Sequence, residues 1–234
     1  MPYRDIVLNS QKGLNIKEIR KSSLYVKAKF GPSKITKIPL TLSHEIAFSV
    51  GVIIGDGHLK KRKLQITIEL ANKKLLRHIR EIFKKIFYRK FNIHPVKVRS
   101  GKKPTFNMCV DSKAIYNFLN KVFEVPIGKK SSIVKVPKII LSSNNSIKAA
   151  FLIGIMVTEG GKRGKGLSTA SKGLWLGVAR LFKHLKIVIR TERWTHKRYK
   201  KEYYGLIFKK EDLKKIMREC RSGQTGQILS IINV

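Results

Sequence analysis

Asp56 and Glu159 are the residues whose surroundings point most directly to chemistry. Each closes an apolar stretch, SVGVIIGDGHL and AAFLIGIMVTEGGK, and each is followed by a glycine. Gly51 stands five residues before Asp56 and Gly154 five before Glu159, so the chain carries an internal repeat. Two carboxylates a few ångström apart repel unless a cation lies between them. Mg²⁺ takes oxygen ligands in a small cage. Asp56 and Glu159, with the backbone at Gly55 and Thr158, therefore form a candidate Mg²⁺ site, with Mn²⁺ or Ca²⁺ substituting in binding. A metal held there can activate water and neutralise a leaving oxygen, which is the chemistry of phosphodiester hydrolysis.

The elements that must position these acids are two helices. Gly51 and Gly55 share a helix face, as do Gly154 and Thr158. Small residues there let two backbones approach and would bring both acids to one end of the pair. The glycine after each acid reads as a helix stop in the left-handed region. The plain alternative is two ordinary buried helices, each with one polar residue at its end.

Composition narrows the partners. The chain has 234 residues, is 42% apolar, and carries 51 Lys and Arg against 14 Asp and Glu, a net charge of +37. That charge is spread along the sequence, and such a field attracts polyanions and opposes self-association. Nucleic acid, double-stranded DNA above all and intron RNA after it, is the first candidate partner, an anionic membrane the second and acidic protein a distant third, and a monomer is expected. Cys109 and Cys220 make neither a disulfide scaffold nor a zinc site. The N-terminus has no apolar signal segment and no apolar run approaches ~20 residues, so no membrane partner and an intracellular location are expected.

The two stretches resemble the paired motifs of LAGLIDADG homing endonucleases, in the monomeric two-repeat form. Ser49 to Gly57 matches the first motif, where Gly51, Asp56 and Gly57 hold. Leu152 to Gly160 matches the second, where Leu152, Gly154, Ile155 and Gly160 hold and Glu159 replaces aspartate, as the family tolerates. The likeness covers roughly residues 38 to 220. It implies a metal-dependent DNA endonuclease that cuts both strands of a long asymmetric target and leaves short 3′ overhangs. It also implies a lysine near each metal site and often a glutamine. Gln65 fits the glutamine; Lys103 and Lys201 form a symmetric lysine pair, with Lys162 a rival. His58 has no partner acid and reads as structural or phosphate-contacting.

The fold class expected is α+β, with two pseudo-symmetric units of αββαββα type. The motif helices pack at the centre and antiparallel sheets form a basic DNA-binding saddle. The first unit spans 1–124 with a basic N-terminal extension, 125–145 is a mostly irregular linker, and the second unit spans 146–234 with a C-terminal tail. SLYVKAKF at 23–30 alternates as a strand, stopped by Gly31-Pro32. Helices are predicted at about 44–55 and 73–89, the latter capped by Asn72. KLQITIEL alternates as a half-buried strand, after a short strand beginning at His58. A hairpin turning at Gly101-Lys102 and a helix capped by Asp111 or Ser112 complete the first unit. In the second, a strand near 167–170, a helix at about 173–184, a hairpin and a helix over KEDLKKIMREC repeat the plan.

Each predicted sheet has a wet face. B-form DNA admits a two-stranded ribbon in its major groove, with Lys and Arg on phosphates and polar side chains on bases. The candidate readers are Thr67, Glu69, Lys97, Arg99, Thr105 and Asn107 in the first unit. In the second they are Thr169, Ser171, Arg190, Glu192, Trp194, His196, Arg198 and Tyr203. The two sets differ throughout, which predicts an asymmetric target. Three other readings remain open on the sequence: an RNA maturase on the same scaffold, a regulator without catalysis, and an RNA-bridging structural protein. A splicing intein is disfavoured, because Met1 is no splicing nucleophile and Asn233-Val234 lacks the preceding histidine.

Overall fold

The computed structural model describes residues 2–29, 34–97, 104–160, 166–196 and 200–221. The N-terminal extension is α1 (Tyr3–Ser10) followed by β1 (Asn15–Arg20), β2 (Ser23–Lys27) and β3 (Thr36–Pro39). These strands form a separate three-stranded sheet in the order β1-β2-β3. The extension joins neither repeat's sheet. It is tied to the first unit by the Gln11 amide, which donates to the Ala114 carbonyl at 3.2 Å, and by the Tyr3 ring against Phe123.

The first unit runs α2 (His44–Asp56), β4 (Gly57–Lys60), β5 (Gln65–Leu70), α3 (Lys73–Phe87), β6 (Asn92–Pro95), β7 (Phe106–Asp111) and α4 (Lys113–Asn117). The last helix continues as a π-helical turn over Phe118–Val122. Caps set the boundaries: Asn72 Oδ1 accepts from the Leu75 amide at 3.0 Å, and Ser112, rather than Asp111, caps α4. The sheet order is β4-β5-β7-β6, all antiparallel. Leu59, Ile66, Ile68, Met108 and Val110 are buried on its inner face. Beyond them lies an aromatic cluster in which Phe83–Phe91, Phe87–Phe118 and Phe118–Phe123 meet edge to face at 5.3, 5.9 and 5.2 Å.

The segment between the units is irregular apart from α5 (Lys138–Leu141), yet it is packed rather than loose. The Gly128 amide donates to the Leu59 carbonyl at 2.9 Å. The Val134 carbonyl accepts from Ser171 Oγ at 2.6 Å. Val134, Val136 and Ile140 are buried.

The second unit runs α6 (Asn145–Glu159), β8 (Gly166–Thr169), α7 (Lys172–His184), β9 (Arg190–His196), β10 (Lys201–Ile207) and α8 (Lys210–Arg221). Its three strands pair antiparallel in the order β8-β10-β9. The architecture is α+β with two repeats. Among the described residues the second repeat has one strand fewer. Gly160 bridges Leu167 as Gly57 pairs with Ile68, and residues 161–165 lie outside the described residues. The expected turns at Gly31-Pro32 and Gly101-Lys102 and the tail 222–234 also lie outside the described residues.

Candidate active site and nucleic-acid interface

The helices α2 and α6 start alike. Ser43 Oγ accepts from the Ile46 amide at 3.4 Å, and Asn144 Oδ1 from the Ile147 amide at 3.0 Å. They then pack backbone to backbone. A Cβ at Gly51 would lie 2.3 Å from the Phe151 carbonyl oxygen, and one at Gly154 would lie 2.1 Å from that of Phe48. A Cβ at Gly55 would fall 2.0 Å from Thr158 Oγ1 and 3.3 Å from Glu159 Cγ. Only glycine permits this approach, and the approach delivers Asp56 and Glu159 to one end of the pair.

The glycines after the acids act differently from expectation. Gly57 has φ −82° and ψ 162°, and Gly160 has φ −65° and ψ 133°. Both are extended, not left-handed. Each is required for space instead, since a Cβ would meet Ile53 Cα at 2.5 Å or the Met156 carbonyl oxygen at 2.2 Å. α2 passes directly into β4, and Asp56 sits at the corner.

Burial and mutual charge govern the pair. Desolvation, and then the neighbouring Glu159 charge, push the Asp56 carboxyl up to about 6, against an opposing pull from Lys130. Glu159 is also raised by burial, and Lys130 again opposes. Lys130 was not among the expected site residues. Its ammonium donates to the Ile53 carbonyl at 2.8 Å and to the carbonyls of Ile54 and Gly55. Burial drives it down to about 8, against the attraction of Glu159 and Asp56. Gly55, Lys130, Ser131, Glu159, Ser168 and Tyr203 border a cavity of ≈ 210 Å³. Thr158 Oγ1 bonds back to the carbonyls of Gly154 and Ile155, at 3.3 and 2.9 Å.

The strand registers decide which expected residues reach this corner. Gly57 pairs with Ile68, whereas Gln65 pairs with Lys60 and donates to Asp111 Oδ1 at 2.7 Å. Gln65 is thus four positions, or about 14 Å, along the strand from the register of the acid, and the structure does not bring it to Asp56. Lys201 pairs with His196 at the far end of β10, five residues from Leu206, which pairs with Leu167 opposite Gly160. That is about 17 Å along the strand from the position opposite Gly160, and the structure does not bring Lys201 to Glu159. Lys103, Lys162, Arg99 and Arg198 lie outside the described residues.

The first sheet has the predicted wet face. Registers Thr67↔Cys109 and Glu69↔Asn107 align Thr67, Glu69 and Asn107 on it, with His58 opposite Thr67. Thr105 Oγ1 donates to Glu69 Oε1 at 2.6 Å, and Asn107 Oδ1 has no hydrogen-bond partner among the described residues. Glu69 also adds to the upward shift of Asp56, so this face adjoins the acids. Lys97 is exposed just beyond β6. Thr67 is a correction: only 6% exposed between His58 and Cys109, it supports the face rather than presenting a hydroxyl.

In the second sheet Arg190, Glu192 and Trp194 alternate along β9, with the backbone of His196 following in step. Trp194 pairs with Tyr203 and stacks on it at 5.9 Å and 17°. Gly205 makes room for the indole, for a Cβ there would lie 3.0 Å from Trp194 Cζ3. Arg190 is paired with Glu192 at 2.7 Å. Thr169 and Ser171 are corrections. Thr169 is 8% exposed and its Oγ1 accepts from the Ser171 amide. Ser171 is 0% exposed and caps α7, its Oγ accepting from the Leu174 amide. The outward residue of β8 is Ser168, since alternation places it on the opposite face from Leu167 and Thr169.

Residues 146–221 match the family described as a LAGLIDADG-like domain. The chain carries a LAGLIDADG-like domain in its second repeat. Its two-repeat fold is shared with I-DmoI in complex with DNA and Ca, at TM-score 0.56 and 21% identity over 82% of this chain and 99% of that one. It is shared also with I-WcaI bound to its DNA recognition sequence, at TM-score 0.51 and 20% identity over 82% and 87%. The chain is 29% identical to a replication factor C small subunit of Methanocaldococcus jannaschii over 208 residues, 88% of this chain and 11% of that protein. It is 32% identical to an A-type ATP synthase subunit of Pyrococcus abyssi over 127 residues, 54% of this chain and 12% of that protein. The chain spans about a tenth of the length of these relatives.

The donor set at the corner suits a hard divalent ion. It comprises two carboxylates raised chiefly by burial, Asp56 also by the Glu159 charge, and helix-end carbonyls. Among the described residues no group of three or more His, Cys, Asp or Glu could hold a metal. Further ligands would therefore be carbonyls, water or a bound phosphate. Lys130 was missed because nothing in its sequence neighbourhood, PIGKKSS, carries a spacing signal; it reaches α2 from more than seventy positions away.

Proposed function

We propose that this protein is a site-specific double-strand DNA endonuclease of the LAGLIDADG homing type, which acts with a divalent ion, Mg²⁺ by preference, on a long asymmetric target. The observation that carries the reading is the convergence of Asp56 and Glu159, from two repeats, on one corner next to the wet faces of two dissimilar sheets. Asp56 and Glu159 would hold the ion, which supplies Lewis acidity to the scissile phosphate and an activated water.

The chain's own residues do the rest. The glycine contacts at 51, 55 and 154 fix the separation of the two carboxylates, one for each DNA strand. Glu69, Thr105 and Asn107 on one side, and Arg190, Glu192, Trp194 and Tyr203 on the other, meet unlike half-sites and set the direction of reading. The excess of Lys and Arg binds phosphate, so affinity falls steeply with salt. The DNA complexes of I-DmoI and I-WcaI support the DNA reading. The relatives' names are functionally unrelated, and the match takes up only about a tenth of each relative while covering 88% and 54% of this chain, which supports a segment that inserts into different host genes.

The test is cleavage of a plasmid carrying the joined sequences that flank the reading frame. Linear product with Mg²⁺, and none in chelator, is expected. Tight intron-RNA binding with no cutting of that junction would replace the nuclease with a maturase.

A further inference from the structure

The Gly57 amide reaches the Ile53 carbonyl, but the carbonyls after it in the last turn of α2 lie beyond any helical amide. Lys130 fills that position with three hydrogen bonds, to the carbonyls of Ile54 and Gly55 and, shared with Gly57, of Ile53. It is not a wandering surface lysine. On one side Gly128 is bonded to Leu59 of β4. On the other, the Lys130 carbonyl accepts from the Ile133 and Val134 amides, and Val134 is bonded to Ser171 of α7. The linker is therefore held by both repeats while its ammonium faces both acids. Lys130 also borders the cavity that Glu159 opens into.

We propose that the Lys130 ammonium is the resident cation of the two-acid corner, and that a divalent ion binds there only as Lys130 leaves the Gly55 carbonyl. Lys130 is thus a positioning residue that holds the acids together without metal and sets the threshold for metal entry. The inference rests on the reading of the acid pair as a divalent site. Its physical basis is charge: a fixed ammonium and a divalent cation repel in a partly desolvated corner, and both require the same oxygens. At the end of α6 Thr158 bonds back along its own helix, and among the described residues no lysine is bonded to its last carbonyls.

The test uses the full, DNA-free chain and Mn²⁺ alone. Lys130→Met should bind Mn²⁺ at least about tenfold more tightly than wild type by electron paramagnetic resonance titration, since a competing charge is gone. Lys130→Arg, which keeps the charge, should remain within a few-fold of wild type. In chelator Lys130→Met should melt several degrees lower, and Mn²⁺ should recover more of the loss than it adds to wild type. Equal or weaker Mn²⁺ binding by Lys130→Met, or the same melting deficit with and without Mn²⁺, would reduce Lys130 to a helix cap and overturn the proposal.

Should Lys130→Met not fold, wild-type protein suffices. Acylation of Lys130, followed by mass spectrometry against Lys129, should accelerate several-fold when Mn²⁺ is added; an unchanged or slower rate overturns the proposal. No readout involves cutting. A chain that releases Lys130 on Mn²⁺ but never cuts the flanking junction sinks the endonuclease and keeps this inference, and a cutting chain whose Lys130 stays in place does the reverse.

Discussion

The two repeats agree where they touch each other and differ where they face outward. At the helix pair the requirement is reciprocal: Gly51 meets the carbonyl of Phe151, and Gly154 meets that of Phe48. Away from it the symmetry fails. The first sheet has four strands and a polar face built on Glu69, Thr105 and Asn107. The second shows three described strands and a flat aromatic plate, Trp194 on Tyr203 over Gly205. Lys130 caps α2, while α6 closes on its own threonine. Shared backbone contact constrains both copies together, whereas surfaces that meet different ligands are free to diverge.

The strongest test of that comparison is at the acids. If each serves one strand, Asp56→Asn and Glu159→Gln should each lose double-strand cutting by at least about a hundredfold, with nicked circles accumulating on agarose gels. Complete loss of both cuts in either variant would mean that the corner works as one unit. Next is the reciprocal helix contact. Gly51→Ala and Gly154→Ala should each lower stability by about 1–3 kcal/mol or more in denaturant titrations, despite a propensity gain of about 1 kcal/mol. A loss at one position alone would break the symmetry argument.

The pH dependence of the metal-free protein separates Asp56 from Lys130. The folded Asp56 carboxyl titrates near 6, above its unfolded range, so the folded chain holds more protons and stability falls as pH rises toward 6. The folded Lys130 titrates near 8, below its unfolded range, so stability returns only as pH rises beyond 8. A trough of about 1–3 kcal/mol is expected between pH 6 and 8. Asp56→Asn should flatten its acid limb and Lys130→Met its alkaline limb, each read from melting curves in chelator.

Smaller effects mark the outward faces. Trp194→Ala should weaken DNA binding by about 1–2 kcal/mol and relax preference at the half-site under the second sheet only. Thr67→Ser, on a covered side chain, should change affinity by less than about 0.5 kcal/mol. A large effect there would mean that the first face opens on binding DNA.

The sequence alone determined the paired helices, the two acids and the side-chain alternation of the strands, because helical spacing, a glycine face and period-two patterning are written in neighbouring residues. Asn72 and the glycine faces at Gly51 and Gly154 follow from such short-range rules, whereas the choice of Ser112 over Asp111 as a cap does not. What only the tertiary structure decided were the long-range choices. Strand register put Gln65 and Lys201 far from the acids that the resemblance implied they would serve. Capping and burial withdrew Ser171 and Thr169 from the wet face, although their polarity had marked them as readers. Lys130, one lysine among many by composition, was brought to the helix end by a linker pinned on both repeats. Register and long-range pinning are settled by which surfaces exclude water when the whole chain closes, and no local pattern encodes that.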